Sequence, residues 1–529
     1  MKRAIFPIII LLIAFTAASA QTGLTATGTV FHDLNANGIR DNGEPGIADV
    51  AVSNGNDVVL TGKNGKYTLD VNDDAIIFVI KPGNYNYLVN GNNLPQFYYI
   101  HKPKGSPELD YRGVDPSGPL PASVDFGLVT GSESDEFSML VFSDPQTYTE
   151  EQIRYYNNGI VEELAVVQGH AFGITLGDIV GDNLDFYEPI NRATSRIGLP
   201  WFHVFGNHDM NFDAGIQQHA DETFERVFGP ATYAFNHGKV HFIVLDDVIY
   251  PNEITDHSYV GGLREEHFRF IENSLRFVPK ENLVVLAMHI PLFNEAPWSE
   301  TFLNSHRDRL FNLLRNHPFT LSLSGHTHIQ RHYYFDKDDG WKNENPHHHY
   351  NVGTTSGDWW SGEYRKNGTP DATMRDGTPQ GYNILHFKGN SYAYDYKVVA
   401  QAEDYKMRIY GPKKVPRNQR YFKGEVFVNF FQGSEKDTVQ YKVNDGEWRT
   451  MQYVIEQDPH ISAMRYTWDH AETLPKGSRP SNPVNCYHLW KARIPTNVPA
   501  GANTIHIRVK DKLGRIYEDS WKYEAVEEE

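Results

Sequence analysis

The chain has 529 residues, of which 40% are hydrophobic and 22% are charged, and its formal net charge is -18. This length exceeds one ordinary hydrophobic core, so we expect about two to four domains. The acidic balance disfavours an extended nucleic-acid surface, which needs clustered Lys and Arg. The single cysteine, Cys486, excludes an intrachain disulfide.

The N-terminal residues 1–20, MKRAIFPIIILLIAFTAASA, have the pattern of a secretory signal peptide. Lys2 and Arg3 precede a short apolar run and an Ala-Ser-Ala ending, which predicts cleavage before Gln21 and export to the periplasm or the medium. The apolar run is short for a membrane span, and no later segment resembles one. Retention as an N-terminal anchor is the alternative interpretation.

Three further regions follow, with different patterns. Residues 21–127 contain short β-type runs such as GKYTLDV and AIIFVI between turn signals, which predicts a small antiparallel β-sandwich. Residues 128–397 alternate apolar runs with helical stretches, which predicts an α/β domain with buried strands. Residues 398–529 return to β-type runs such as EVFVNFF and TIHIRVKD, which predicts an immunoglobulin- or fibronectin-like sandwich.

A loop in the first sandwich, DLNANGIRDNGE, has the residue spacing of an EF-hand-type calcium loop. The predicted ligands of one Ca²⁺ are Asp33, Asn35, Asn37, Ile39, Asp41 and Glu44. No helix clearly precedes the loop, and it resembles calcium loops in β-sandwich modules of bacterial surface proteins. The alternative is an Asn/Gly-rich turn without metal.

In the α/β region, five apolar runs each end in a residue that can bind a metal. FSMLVFS is followed by DPQ, AFGIT by GDIVGD, WFHVF by GNHD, LVVLAM by His289, and FTLSLS by GHTH. Ligands collect at the C-terminal ends of strands in α/β sheets, and glycines allow the sharp turns that bring side chains together. Each motif alone is typical of a turn or a cap, whereas the ordered set indicates a metal centre.

The motifs DPQ, GDIVGD, GNHD, AMHIP and GHTH resemble those of the calcineurin-like metallophosphoesterases. The flanking regions resemble the modules of a bacterial exported subgroup of that family. The resemblance implies a four-layer αββα core between two all-β sandwiches. It also implies two divalent ions (Mn, Fe, Zn or Mg) and attack of a metal-bound hydroxide on a small phosphate ester.

The resemblance also implies a role for each motif residue. The implied metal ligands are Asp144, Gln146, Asp178, Asn207, His289, His326 and His328. Asp178 would bridge the two ions, and His208 would face the phosphoryl group, so these two residues are the candidate catalytic residues. Asp182 and Asp209 would orient the loops that carry the ligands.

Gln146 departs from the family pattern, because many members have histidine there. A glutamine carbonyl oxygen is neutral and harder than an imidazole, so we expect weaker binding of the first metal and a preference for Mn²⁺ or Mg²⁺. The alternative is that Gln146 caps the helix predicted from the following TEEQ.

The segment 353–382 is rich in glycine and aromatic residues and follows the GHTH strand. We expect Trp359 and Trp360 to wall the substrate pocket and Arg375 to hold an anionic group. Trp298 is a further candidate for the pocket rim, and structural packing is the alternative for all four. The histidine tract 347–349 is predicted to be solvated or at a strand edge, since other residues supply a full ligand set.

The sequence thus predicts an exported hydrolase of phosphate monoesters or diesters. A nucleotide- or sugar-phosphate pyrophosphatase is one alternative, and a surface binding protein with a vestigial metal centre is another. The motifs GxSxG and HExxH do not occur, which disfavours a serine hydrolase and a zinc peptidase.

Overall fold

The computed structural model describes residues 23–131, 134–255, 258–294 and 300–527. The predicted signal peptide, residues 1–20, lies outside them. Within the described residues, no helix combines the length and the apolarity that a membrane crossing requires.

The N-terminal module is a sandwich of two sheets, with strand orders β4-β1-β9-β6-β7 and β3-β2-β5-β8. Its strands are β1 Leu24–His32, β2 Ala51–Ser53, β3 Val58–Leu60, β4 Lys66–Val71, β5 Ala75–Ile80, β6 Tyr85–Val89, β7 Pro95–Gln96, β8 Tyr98–His101 and β9 Phe126–Thr130. The predicted sandwich is confirmed, but it is not wholly antiparallel, because β1 and β9 pair in parallel. A long connector precedes β9, and such a crossover permits parallel pairing.

The burial of two strands shows how this module is placed. β4 alternates exposed and buried residues, as expected for a strand with one wet face. β5 is buried along its whole length, because its second face packs on the central domain. There the ring of Phe78 meets the ring of Phe270 edge to face at a centroid distance of 5.6 Å.

The central domain has the predicted four-layer αββα architecture, with sheets ordered β12-β11-β10-β22-β23 and β13-β14-β17-β18-β20-β19. Its strands are β10 Glu136–Phe142, β11 Phe172–Leu176, β12 Trp201–Val204, β13 Tyr233–His237, β14 Val240–Val244, β15 Val248–Ile249, β16 Val260–Gly261, β17 Leu283–Ala287, β18 Thr320–Ser324, β19 Arg331–Phe335, β20 His347–Asn351, β21 Gly362–Glu363, β22 Gly381–Lys388 and β23 Ser391–Val398. Its helices are α1 Glu150–Tyr156, α2 Glu162–Leu164, α3 Tyr187–Thr194, α4 Glu222–Phe228, α5 Glu265–Leu275 and α6 Asn304–Leu314.

The C-terminal module is a second sandwich, with strand orders β24-β26-β31-β29 and β25-β33-β32-β27-β28. Its elements are β24 Met407–Tyr410, β25 Lys414–Pro416, β26 Glu425–Phe430, β27 Thr438–Val443, β28 Arg449–Thr450, β29 Gln452–Gln457, α7 Pro459–Asp469, β30 Gly477–Ser478, β31 Asn485–Arg493, β32 Gly501–Lys510 and β33 Ile516–Val526. The helix α7 lies between two of these strands and was not predicted. β30 pairs with β21 and so joins this module to the central domain.

Parallel pairing brings the predicted site together. β10, β11 and β12 run parallel in one sheet, and β14, β17 and β18 run parallel in the other. Their carboxyl ends therefore meet at one edge of each sheet. The turns at this edge pack closely: a Cβ added to Gly206 would lie 2.2 Å from the backbone nitrogen of Asp178.

The histidine tract corrects a prediction. His347, His348 and His349 form β20, which lies between β18 and β19 and is buried, so the prediction of a solvated or edge tract is wrong. Ser322 Oγ on β18 lies 2.8 Å from His347 Nε2 and 2.6 Å from His349 Nδ1. Burial lowers the pKa of His347 to about 3, which keeps the ring neutral. Hydroxyl groups can supply the hydrogen bonds of a neutral ring without a metal.

Lys81 is a buried lysine where the N-terminal module meets the central domain. Its ammonium group donates to the backbone oxygen of Asn236 and lies 5.9 Å from the ring centroids of Tyr87 and Phe235. Within the described residues, no carboxylate forms an ion pair with it. Burial lowers the pKa of Lys81 to about 7, so the native state resists its protonation.

We expect the free energy of unfolding to rise between pH ~7 and ~10. In this range Lys81 carries a proton in the unfolded chain but not in the folded chain. Lys81→Met should raise the melting temperature at pH 7 and flatten this rise. Calorimetry across the pH range, with Lys104→Met at an exposed position as control, measures both effects. An unchanged pH slope in Lys81→Met would contradict the expectation.

A second expectation concerns Gly206. Gly206→Ala should lower the free energy of unfolding by about 1–3 kcal/mol, because the new methyl group overlaps the Asp178 backbone. Gly215→Ala is the matched control, since a Cβ there has no atom within 4 Å. Equal denaturation midpoints for the two variants would show that the turn adapts freely.

Candidate metal centre

The loops that carry the predicted ligands have an unusual backbone. Five ligand residues adopt positive φ values between 39° and 74°, namely Asp144, Gln146, Asp178, His326 and His328. A left-handed conformation costs a non-glycine residue roughly 1–2 kcal/mol. Such strain is retained mainly at functional sites, where the surrounding structure holds it in place.

One group of predicted ligands converges closely. Donor atoms of Asp178, His289 and His326 all lie within 4.8 Å of one another. His289 Nε2 lies 3.3 Å from Asp178 Oδ1, 2.9 Å from Asn207 Oδ1 and 3.2 Å from His326 Nδ1. This cluster of oxygen and nitrogen donors can enclose a divalent cation.

A second group lies beside it. His328 Nε2 is 3.6 Å from Asp144 Oδ1, and the backbone N–H of Gln146 donates to the carbonyl oxygen of Asp178 at 2.9 Å. The side-chain oxygen of Gln146 is buried and has no hydrogen-bond partner among the described residues. An unsatisfied buried oxygen costs about 1–3 kcal/mol, which a bound cation would remove.

The helix-cap interpretation of Gln146 does not agree with the structure. The N-cap of α1 is Thr149, whose side chain accepts a hydrogen bond from the backbone N–H of Gln152. Gln146 lies before this cap, and its side chain is buried among the predicted ligands. Its role as a metal ligand stays a prediction that fits the geometry.

The electrostatics of the site also suit cations. Burial raises the pKa of Asp144 to about 7, although His289 opposes the shift. Burial lowers the pKa of His289, but Asp178 and Asp144 outweigh it and raise that pKa to about 10. Both shifts reflect concentrated negative charge in a site that excludes water. Two carboxylates, three imidazoles and two amide oxygens therefore fit the divalent ions that the family motifs imply.

Asp209 and Asp182 contact the ligand loops from outside the ligand cluster. Asp209 is buried and accepts hydrogen bonds from the backbone N–H groups of Ile179 at 3.1 Å and Gly206 at 3.0 Å. It thus ties the GDIVGD loop to the GNHD loop. Asp182 Oδ1 lies 2.6 Å from His208 Nδ1, so it orients the ring of His208.

Asp247 is a functional candidate that the sequence reasoning missed. It is buried, and its two oxygens accept from the backbone N–H groups of His289 and Ile290, each at 3.0 Å. Burial raises the pKa of Asp247 to about 8. The sequence signal that could have identified Asp247 is the acidic pair at the end of the buried run HFIVLDD. Asp247 holds the turn that carries His289.

The predicted substrate residues fall into different environments. Trp359 stacks on His328 at 3.9 Å, and the Arg375 guanidinium lies 5.3 Å from the Trp359 ring. Trp360 is buried and its indole N–H donates to the Pro145 carbonyl oxygen at 2.9 Å, which fits the packing alternative. Trp298 lies outside the described residues.

The C-terminal module supports the loop that carries Arg375. The carboxylate of Asp376 accepts from the backbone N–H of Gln330 at 2.8 Å and lies 3.1 Å from His488 Nε2. The backbone N–H of Val484 donates to the Arg375 carbonyl oxygen at 3.1 Å. Residues of the second sandwich therefore hold the segment next to the GHTH motif.

The chain matches three family models. These are calcineurin-like phosphoesterase at residues 137–330, the N terminal of calcineurin-like phosphoesterase at residues 34–112, and the C terminal of calcineurin-like phosphoesterase at residues 349–517. No curated protein matches the chain.

Solved structures that match the chain include a dimetal phosphatase from Danio rerio. This match has 14% identity and a TM-score of 0.32, and it covers 49% of this chain and 98% of that chain. A purple acid phosphatase from yellow lupin has 12% identity, 66% and 67% coverage, and a TM-score of 0.36. These scores are low, so the assignment rests on the family models. The chain belongs to the calcineurin-like phosphoesterase family and is a metal-dependent phosphoesterase with that family's N- and C-terminal modules.

Proposed function

We propose that this phosphoesterase is an exported hydrolase of small phosphate monoesters or diesters that uses two divalent ions. The observation that carries the proposal is the convergence of buried Asp178 and His289 with half-buried His326, whose donor atoms lie within 4.8 Å of one another. Asn207 completes this group, while Asp144, Gln146 and His328 form the adjacent one. Two divalent ions at such a site neutralise phosphoryl oxygens and lower the pKa of bound water.

His208 is the proposed proton donor. Asp182 accepts from its Nδ1, which leaves Nε2 for the substrate. Burial lowers the pKa of His208, but Asp178 and Asp182 outweigh it and raise that pKa above its ordinary value. The raised pKa favours the protonated ring, which can donate to the leaving oxygen.

The reaction we propose is direct attack of water on phosphorus. The water loses one proton to the solvent, and its oxygen then bonds to phosphorus while the bond to the leaving oxygen breaks. The proton on His208 moves to that leaving oxygen. The configuration at phosphorus inverts, and no side chain becomes phosphorylated.

Arg375 is the proposed anchor for an anionic group of the substrate. One of its terminal nitrogens donates to the Thr327 carbonyl oxygen at 3.1 Å, and Trp359 lies under its guanidinium. Its Nε is buried and has no partner among the described residues. A guanidinium with free donors beside a metal cluster is suited to bind a phosphate oxygen.

Two finer proposals concern the metals and the location of the enzyme. The neutral carbonyl oxygen of Gln146 favours Mn²⁺ or Mg²⁺ at the first site. Export is proposed from the signal pattern of residues 1–20. Recovery of mature protein that begins at Gln21 from the periplasm or the medium would support it, and protein retained in the cytoplasm at full length would contradict it.

The N-terminal loop 33–44 is proposed to bind one Ca²⁺. Asp33 is 2% exposed, and one of its oxygens accepts from the Gly38 backbone N–H at 2.7 Å. The Glu44 carboxylate accepts from the backbone N–H groups of Leu34 at 2.8 Å and Asp41 at 2.9 Å, which brings the two ends of the loop together.

Hydrolysis of bis(p-nitrophenyl) phosphate and p-nitrophenyl phosphate tests the main proposal. Chelator-stripped protein should be inactive, and Mn²⁺, Fe²⁺, Zn²⁺ or Mg²⁺, restored one at a time, should recover activity. Asp178→Asn should lower the restored rate by about 100-fold or more, because the bridging charge is lost. Equal rates for Asp178→Asn and the parent protein would overturn the proposed site, and a trapped phosphoenzyme would overturn the proposed reaction.

Calcium titration tests the loop. Ca²⁺ should raise the melting temperature of the parent protein and of Asp57→Ala, an exposed aspartate of the same module. Asp33→Ala should lose this stabilisation, because binding to the native state alone shifts unfolding. If Ca²⁺ stabilised Asp33→Ala as strongly as the parent, the loop would be a turn without metal.

A further inference from the structure

Tyr148 is a residue of the site that the family motifs do not include. It follows Gln146 by two positions, and 37% of its surface is exposed. Its hydroxyl oxygen accepts a hydrogen bond from Gln146 Nε2 at 3.1 Å. The remaining polar atom of that amide, Oε1, is buried and has no partner among the described residues.

The ring of Tyr148 is held in place by neighbouring loops. A Cβ added to Gly181 would lie 2.6 Å from three carbons of the ring, so the ring packs directly against a glycine backbone. The ring of His208 lies edge-on at a centroid distance of 6.0 Å.

The backbone beneath Tyr148 is fixed as well. The N–H of Gly181 donates to the Thr147 carbonyl oxygen at 3.0 Å, and the N–H of Gln146 donates to the Asp178 carbonyl oxygen at 2.9 Å. The DPQ and GDIVGD loops therefore lie side by side, and the Tyr148 hydroxyl has a defined position relative to the Gln146 amide.

The chemistry of an amide makes this position important. A primary amide has one oxygen acceptor and one NH₂ donor, and a rotation of 180° exchanges them. Only the oxygen is a suitable ligand for a divalent cation. We propose that Tyr148 is a positioning residue that holds the NH₂ group of Gln146, so that the carbonyl oxygen faces the first metal. This inference rests on the proposed metal-binding role of Gln146.

Tyr148→Phe tests the inference, because it keeps the ring and removes the oxygen that accepts from Gln146. Loss of such an orienting partner typically weakens metal binding 10- to 100-fold. We expect a loss of that size at one of two Mn²⁺ sites, with the other site retained. The measurement is a titration of chelator-stripped protein with Mn²⁺. The concentration of free Mn²⁺ is read from its electron paramagnetic resonance signal at each step.

A matched background makes the test specific. Gln146→Glu replaces the amide with a carboxylate, which has two equivalent oxygens and no NH₂ group for Tyr148 to hold. In this background Tyr148→Phe should change Mn²⁺ affinity by less than about twofold, as for uncoupled residues. Equal losses in both backgrounds, or no loss in the Gln146 background, would overturn the inference.

Gly181→Ala provides an independent route to the same effect. The added methyl group would displace the Tyr148 ring, so this variant should also weaken one Mn²⁺ site in the Gln146 background. Melting temperatures report whether each variant is folded. Parent protein without two Mn²⁺ sites would overturn the proposed function together with this inference, whereas two sites that Tyr148→Phe leaves unchanged would overturn the inference alone.

Discussion

The structure depends on one electrostatic constraint, the burial of carboxylates and imidazoles where strands of two sheets end. Asp144 and Asp178 are almost fully removed from water and lie beside the imidazole and amide groups of the other predicted ligands. Transfer of a carboxylate into such a site is unfavourable unless positive charge or hydrogen bonds compensate it. The left-handed turns add backbone strain at the same positions. A divalent metal pair held by these residues would offset the cost of burying the carboxylates, and the strained turns would keep the ligands in position to bind it.

Further carboxylates hold the ligand loops in place. Asp209 joins the turns after β11 and β12, and Asp247 holds the turn after β17 through two backbone N–H groups. Asp144 itself accepts from the backbone N–H of His326 at 3.1 Å. Each ligand loop is thus bound to a loop from another strand, which limits the movement of any single donor.

The flanking sandwiches contribute to this rigidity in different ways. The N-terminal module shares a continuous hydrophobic core with the central domain, in which Phe78 and Phe270 take part. The C-terminal module has a hydrophobic core of its own, and it reaches the site through polar contacts and a small apolar cluster that joins Phe431 to Met374. The buried pair of Asp376 and His488 is one of the polar contacts, and it lies next to Arg375. One module therefore extends the core, while the other supports the segment beside the GHTH motif.

The sequence by itself determined an α/β region between two β-rich modules, because strand and helix periodicity are local properties of the chain. The resemblance of its ordered motifs to the calcineurin-like family implied the αββα core and the candidate ligands. Only the tertiary structure showed that Asp247 binds the His289 turn, that Tyr148 contacts the Gln146 amide, and that residues 347–349 are buried. Sheet order decides which strand is interior, and the packing of distant loops decides which side chains meet. Both depend on contacts between residues far apart in sequence, which no local pattern specifies.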